Sequence, residues 1–270
     1  MSNTKNQSAG LGNFFPLLVI IGSLIVSELF FHLICGASGN FDTEGHPLNG
    51  NMLGTVYKGG FIVPFLFTCV LVVIVFGIER AISLSSANGN GDLAVFIRKL
   101  QNLLHAENIE EAIKECDKQK GSLANVVRTG LVKYNDIKSD AHKDKDEKVE
   151  EMKTVLEEAI ALELPSLGKN MVIISTIVSV GVLIGLIGTV FGMIKAFAAM
   201  SGGTPDTSQL AVGISEALIN TATGITASTL GIFFYNYFNS QIDGLTYRMD
   251  EASFTLTQAL AKRAGKTNNN

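Results

Sequence analysis

A carboxylate near the start of a long apolar segment is the first feature of this sequence with chemical consequences. Glu216 stands early in the run from Leu210 to Phe238, where an ionised side chain is costly unless water or a partner reaches it. Asn220, Thr221, Thr223, Thr226, Ser228 and Thr229 follow it. Groups of this kind coordinate water or a small cation. Glu216 and Thr221, with Asn220, Thr223 and Ser228 as further polar lining, therefore suit an ion path across a membrane. The same residues admit a structural reading. Ala217, Thr221, Gly224, Ser228 and Gly231 form a stripe of small side chains at helical spacing, and threonines in such helices bond back to their own backbone. No Asp, Glu or His lies at mid-depth in this segment, so a complete proton relay requires a carboxylate from a partner helix.

The segment before it is suited to receive a neighbour. Met171 to Ala199 carries Gly181, Gly185, Gly188 and Gly192 at alternating steps of four and three. That spacing puts all four on one helix face, where another backbone can come close. At about 1.5 Å per residue, either segment exceeds the roughly 30 Å hydrocarbon core of a bilayer. Lys195 falls near the outer end of its span and is expected to extend its ammonium toward the headgroups, with no further role.

These residues need a membrane scaffold, and the composition supplies one. Apolar residues make up 47% of the chain and charged residues 17%, which describes a protein divided between bilayer and water. The pattern predicts an all-α integral membrane protein with four spans, whose long helices extend into a cytoplasmic helical region. Residues 1–10 are a polar tail. Residues 11–36 form a first span, interrupted by Glu28 and His32 one helical turn apart. A Gly- and Asn-rich loop occupies 37–60, and a second span occupies 61–79, closing on the pair Glu79 and Arg80. Residues 80–170 are charged and helical, with Asp92 as a predicted N-cap. Within them Asp136 to Glu147 reads as a solvated loop, and Pro165 is expected to bend or interrupt the last helix. The pore-side helices at 171–199 and 210–238 flank a short loop at 200–209. In the tail, 239–270, the seam Phe238, Ile242, Leu245, Met249, Ala252, Leu256 and Ala259 repeats in heptads and is expected to bind the cytoplasmic helices.

Other chemistries find no support in the pattern. Cys35, Cys69 and Cys116 have no CxxC spacing, and the four histidines are scattered, so neither a disulfide nor a metal site is expected. No nucleophile and base pair, phosphate loop or cofactor motif is present, which argues against an enzyme. No nucleic-acid footprint is visible either. Fourteen Lys and Arg residues lie between Arg80 and Lys169, against Lys58 alone in the 37–60 loop, so the charged middle region is expected on the cytoplasmic side.

Three stretches carry a resemblance. GLIGTVFGMIKAF at Gly185 to Phe197, GISEALINTATGITAS at Gly213 to Ser228 and the GIERAISL that closes an earlier span resemble the MotA/TolQ/ExbB proton channel family, with the local sequence nearest to ExbB. The resemblance covers Phe61 to about Gln258 and is specific in the last two spans. It implies a homopentamer in the bacterial inner membrane, surrounding the dimer of an ExbD-like single-span partner that supplies the protonatable aspartate. It further implies pore-facing Thr189 and Thr221, with Glu216 as the family glutamate. Ion flow would then energise a TonB-like protein and outer-membrane transport. The first span is additional to the three-span plan of ExbB and TolQ, and the four-span layout resembles MotA. Sodium in place of protons, a TolQ-like or MotA-like role, and a passive membrane scaffold are the competing readings.

Overall fold

The computed structural model describes residues 8–43, 45–106, 108–139, 143–200 and 206–264. The polar tail predicted for 1–10 and the loop predicted for 200–209 fall largely outside these residues. Nine α-helices follow one another in the described chain: α1 (Ser8–Leu29), α2 (Met52–Tyr57), α3 (Val63–Asn88), α4 (Leu93–His105), α5 (Ile109–Gln119), α6 (Gly121–Ser139), α7 (Lys145–Leu167), α8 (Met171–Ala198) and α9 (Thr207–Ala264). The described residues form no strand, only a single antiparallel bridge between Phe41 and Pro47. Four helical stretches are long and apolar enough to cross a membrane: Phe14–Cys35, part of Val63–His105, Met171–Ala198 and part of Thr207–Ala259. The chain is an all-α, multi-pass membrane protein.

It divides into two compact units, residues 1–78 with 170–236, and residues 79–169 with 237–270. The first unit holds the apolar helices. Its α1 widens into a π-helical turn at Phe30–Cys35, which brings Phe31 and Cys35 inward against Val63. Phe31 stacks on Tyr57 of α2 with ring centroids 4.8 Å apart. The predicted 37–60 loop is thus a folded layer. Asn40 donates Nδ2 to the carbonyls of Ile34 and Cys35 at 2.6 and 3.0 Å, capping the π turn. Asn51 caps α2 by accepting from the Leu53 and Gly54 amides.

The second unit is a helical assembly built mainly of amphipathic helices. Leu93, Phe96, Ile97, Leu100 and Leu104 bury one face of α4, and Ile109, Ala112 and Cys116 one face of α5. Asp92 accepts from the Ala94 amide at 2.7 Å, as its position predicts. Arg80 is 1% exposed. It makes a bidentate pair with Glu79 at 2.6 and 2.7 Å and donates Nη1 to the Leu167 carbonyl at 3.2 Å, tying α3 to the end of α7. The tail seam is inside this unit, with Phe238, Leu245, Met249, Ala252 and Leu256 all buried.

Three local expectations are corrected. The charged stretch from Asp136 to Glu147 is no simple loop: α6 continues to Ser139, and Asp144 opens α7 with a capping box to Glu147. Lys133 and Lys143 both pair with Glu151 at 2.8 and 2.7 Å, which answers charge near the junction. Pro165 does not interrupt α7, which runs on to Leu167. The chain breaks afterwards, at Asn170, whose φ of 63° is left-handed. Finally, α9 begins at Thr207, three residues before its apolar run, because Asp206 accepts from the Ser208 and Gln209 amides at 3.0 Å.

Candidate functional site

Within the first unit α8 and α9 pack along their small-residue faces. Gly181, Gly185, Gly188 and Gly192 are all buried, as are Ala217, Asn220, Gly224, Ala227 and Ser228 opposite them. At Gly192 the backbones are in direct contact. A Cβ there would lie 2.6 Å from the Ala217 nitrogen and 2.7 Å from the Gly213 carbonyl oxygen. Gly185 lies against the Asn220 carbonyl and the Gly224 Cα, Gly181 against Ser228, and Gly188 against the Asn220 side chain. In lipid such approach is a main source of helix affinity, since apolar exclusion contributes nothing there. The opposite face of α8 shows Leu183, Leu186, Ile187, Val190 and Ile194, each more than half exposed.

Thr189 of α8 and Thr221 of α9 meet across this packing. Their hydroxyls form a hydrogen bond, and each is also in reach of its own helix, Thr189 on the Gly185 carbonyl at 3.2 Å and Thr221 on that of Ala217 at 3.1 Å. Both side chains are partly exposed. They make a small hydroxyl surface at the edge of the helix pair. Thr223 and Thr226 instead bond back to Ile219 and Ala222 at 2.8 Å.

The other polar candidates are interior to the chain. Asn220 is fully buried and donates Nδ2 to the Gly59 carbonyl at 3.0 Å, while Ser228 is 3% exposed. Among the described residues, Asn220 Oδ1 and Ser228 Oγ have no hydrogen-bond partner. Burial turns these two groups toward packing, whereas Thr189, Thr221 and Thr223 reach the surface.

Glu216 is 2% exposed. Lys195 donates its ammonium to both carboxylate oxygens, at 2.7 and 2.8 Å. Lys195 therefore does not extend outward as its position in the sequence suggests, because a buried carboxylate lies within reach of its stem. A second partner was equally hidden in the sequence. The Gly59–Gly60 turn, just before α3, meets α9: Gly60 has φ of +78° and sits against the Glu216 carboxylate, and a Cβ at Gly59 would lie 2.8 Å from Ile219 Cγ2. The Gly-Gly pair before an apolar run is the one signal that pointed to a close backbone approach. Nothing local signals the contact with Glu216, which lies more than 150 residues away.

Comparison with known proteins decides the relationship. Residues 118–251, which contain α8, most of α9 and each of Thr189, Lys195, Glu216 and Thr221, match the model of the MotA/TolQ/ExbB proton channel family. The chain belongs to this family. Among curated members, a putative biopolymer transport protein ExbB-like 3 of Synechocystis is 37% identical over 93 residues, which are 33% of this chain and 44% of that one. The Tol-Pal system protein TolQ of Haemophilus influenzae is 39% identical over 88 residues, 32% of this chain and 39% of its own. A putative ExbB homolog of Methanothermobacter thermautotrophicus aligns more widely, at 25% identity over 198 residues, 72% of this chain and 66% of that one. The chain thus spans less than half the length of the first two relatives. The family match begins at residue 118, so α1, the 37–60 layer, α3 and α4 lie before it.

Proposed function

We propose that this chain is an ExbB-like stator subunit of the bacterial inner membrane. Five copies surround the dimer of an ExbD-like single-span partner, and ion flow, carried by protons, moves that partner to energise a TonB-like protein and transport across the outer membrane. The observation that carries this reading is the hydroxyl pair of Thr189 and Thr221, partly exposed at the edge of two glycine-packed spans in a chain of the MotA/TolQ/ExbB family. Hydroxyls hydrogen-bonded to each other can pass a proton onward or replace a shell water. The partner supplies the titrating carboxylate that the middle of α9 lacks. The charged second unit lies in the cytoplasm, and the 37–60 layer faces the periplasm, in keeping with the Lys and Arg distribution.

Thr221→Val keeps the shape of the side chain and removes the hydroxyl. In cells relying on this chain, the variant is expected to lose at least tenfold in iron-siderophore or vitamin uptake while the complex still assembles at normal membrane levels. Normal uptake in a fully assembled variant would exclude the TonB-type reading. A TolQ-like role is the second reading, favoured by the 39% identity to the Haemophilus protein. It predicts that the same variant leaves uptake intact and produces cell chaining and detergent sensitivity.

A further inference from the structure

The stator reading leaves Lys195 without a task, and the structure gives it one. Its ammonium holds both oxygens of Glu216, at 2.7 and 2.8 Å, and the carboxylate side chain is 3% exposed against 54% for the lysine. On another side the carboxylate lies against Gly60. One turn further along α9, Asn220 binds the carbonyl of Gly59 at 3.0 Å. Two side chains of α9 spaced i and i+4 therefore engage adjacent residues of one turn, and Lys195 reaches across from α8. Three segments of the first unit meet at this point, with the buried charge answered.

A carboxylate that relays ions must exchange partners and needs a face open to the path. Glu216 has neither: one ammonium occupies both oxygens, and backbone closes on it from α3's leading turn. The exposed polar surface is that of Thr189 and Thr221. Resting on the stator reading above, we propose that Lys195 is a positioning residue. It forms with Glu216 a static electrostatic latch that holds the outer ends of α8 and α9 and the Gly59–Gly60 turn in register, and Glu216 does not exchange its charge during transport. The carboxylate is the buried member, so removing Lys195 alone strands a buried charge and costs more than removing both.

The test uses the complex with its native partner and the variants Lys195→Met, Lys195→Arg, Glu216→Gln and the double Lys195→Met/Glu216→Gln. Two quantities are read: the thermal midpoint of the purified complex, and the cellular activity that Thr221→Val abolishes, measured across pH. Lys195→Met is expected to lower the midpoint and reduce activity at least tenfold. Lys195→Arg retains both. The double variant recovers most of each, with the wild-type pH profile, because no charge is left unpaired. The latch is overturned if the double variant, or Glu216→Gln alone, has the wild-type midpoint but no activity, since Glu216 would then carry ions. It is equally overturned if Lys195→Met is normal in both readouts. Should Thr221→Val be fully active while Lys195→Met still lowers the midpoint and the double restores it, the latch stands and the stator reading falls.

Discussion

Single residues in α8 and α9 are constrained by distance more than by chemistry. Gly192 faces the Ala217 nitrogen and Gly213 carbonyl with no room for a β-carbon. Overpacking costs about 1–3 kcal/mol where side chains can yield, and backbone yields less. Gly192→Val is therefore expected to lower the thermal midpoint of the detergent-purified chain by several degrees and to reduce membrane yield. Gly22→Val is the control, because a Cβ there meets nothing within 4 Å, and it should match the wild type. If both variants behaved alike, the approach of α8 to α9 would not govern stability. Thr189 and Thr221 stand beside this contact, so the glycines also set the spacing at which two hydroxyls can meet.

Among the elements, the helices of the second unit show how buried charge is managed away from the long apolar stretches. Glu115 of α5 is 8% exposed and receives Lys118 at 2.7 Å and Lys99 of α4 at 2.6 Å. Lys118 first, and then Lys99, hold its carboxyl below the ordinary carboxylate range. A lowered native value means that folding favours the ionised form. The resulting stabilisation is present at neutral pH and disappears as the pH falls through that native value. Glu115→Gln should accordingly lower the thermal midpoint at pH 7, with the difference from wild type shrinking in acid. A difference that stayed constant with pH would assign the effect to shape instead of charge. The neighbouring Cys116 behaves in the opposite sense: burial pushes its thiol up to about 12, so it is a packing residue and not a nucleophile.

The scale of the whole molecule is where the exposed apolar faces need an explanation. On α8, Leu183, Leu186, Ile187, Val190, Phe191 and Ile194 lie opposite the glycine stripe and are open in the single chain. Lipid or neighbouring subunits must cover them. Under the proposed pentamer, chemical cross-linking of the gently extracted complex is expected to yield a ladder that ends at five copies. A ladder ending at any other number would remove the five-fold ring, though not the family membership.

The sequence alone determined the membrane class, the four apolar segments and the family, because these depend on composition, on helical periodicity and on short contiguous motifs such as those around Gly185 and Gly213. Helix caps such as Asp92 were legible for the same reason, since a cap and its amides are neighbours in the chain. The charged stretch before α7 misled because its ion pairs, Lys133 and Lys143 with Glu151, join residues apart in sequence. Tertiary structure decided the rest. Only folding placed Lys195 on Glu216, Asn220 on Gly59 and Arg80 on Leu167. A long flexible stem has no preferred direction in sequence, and the cost of burying a lone carboxylate selects its partner only once the helices have met.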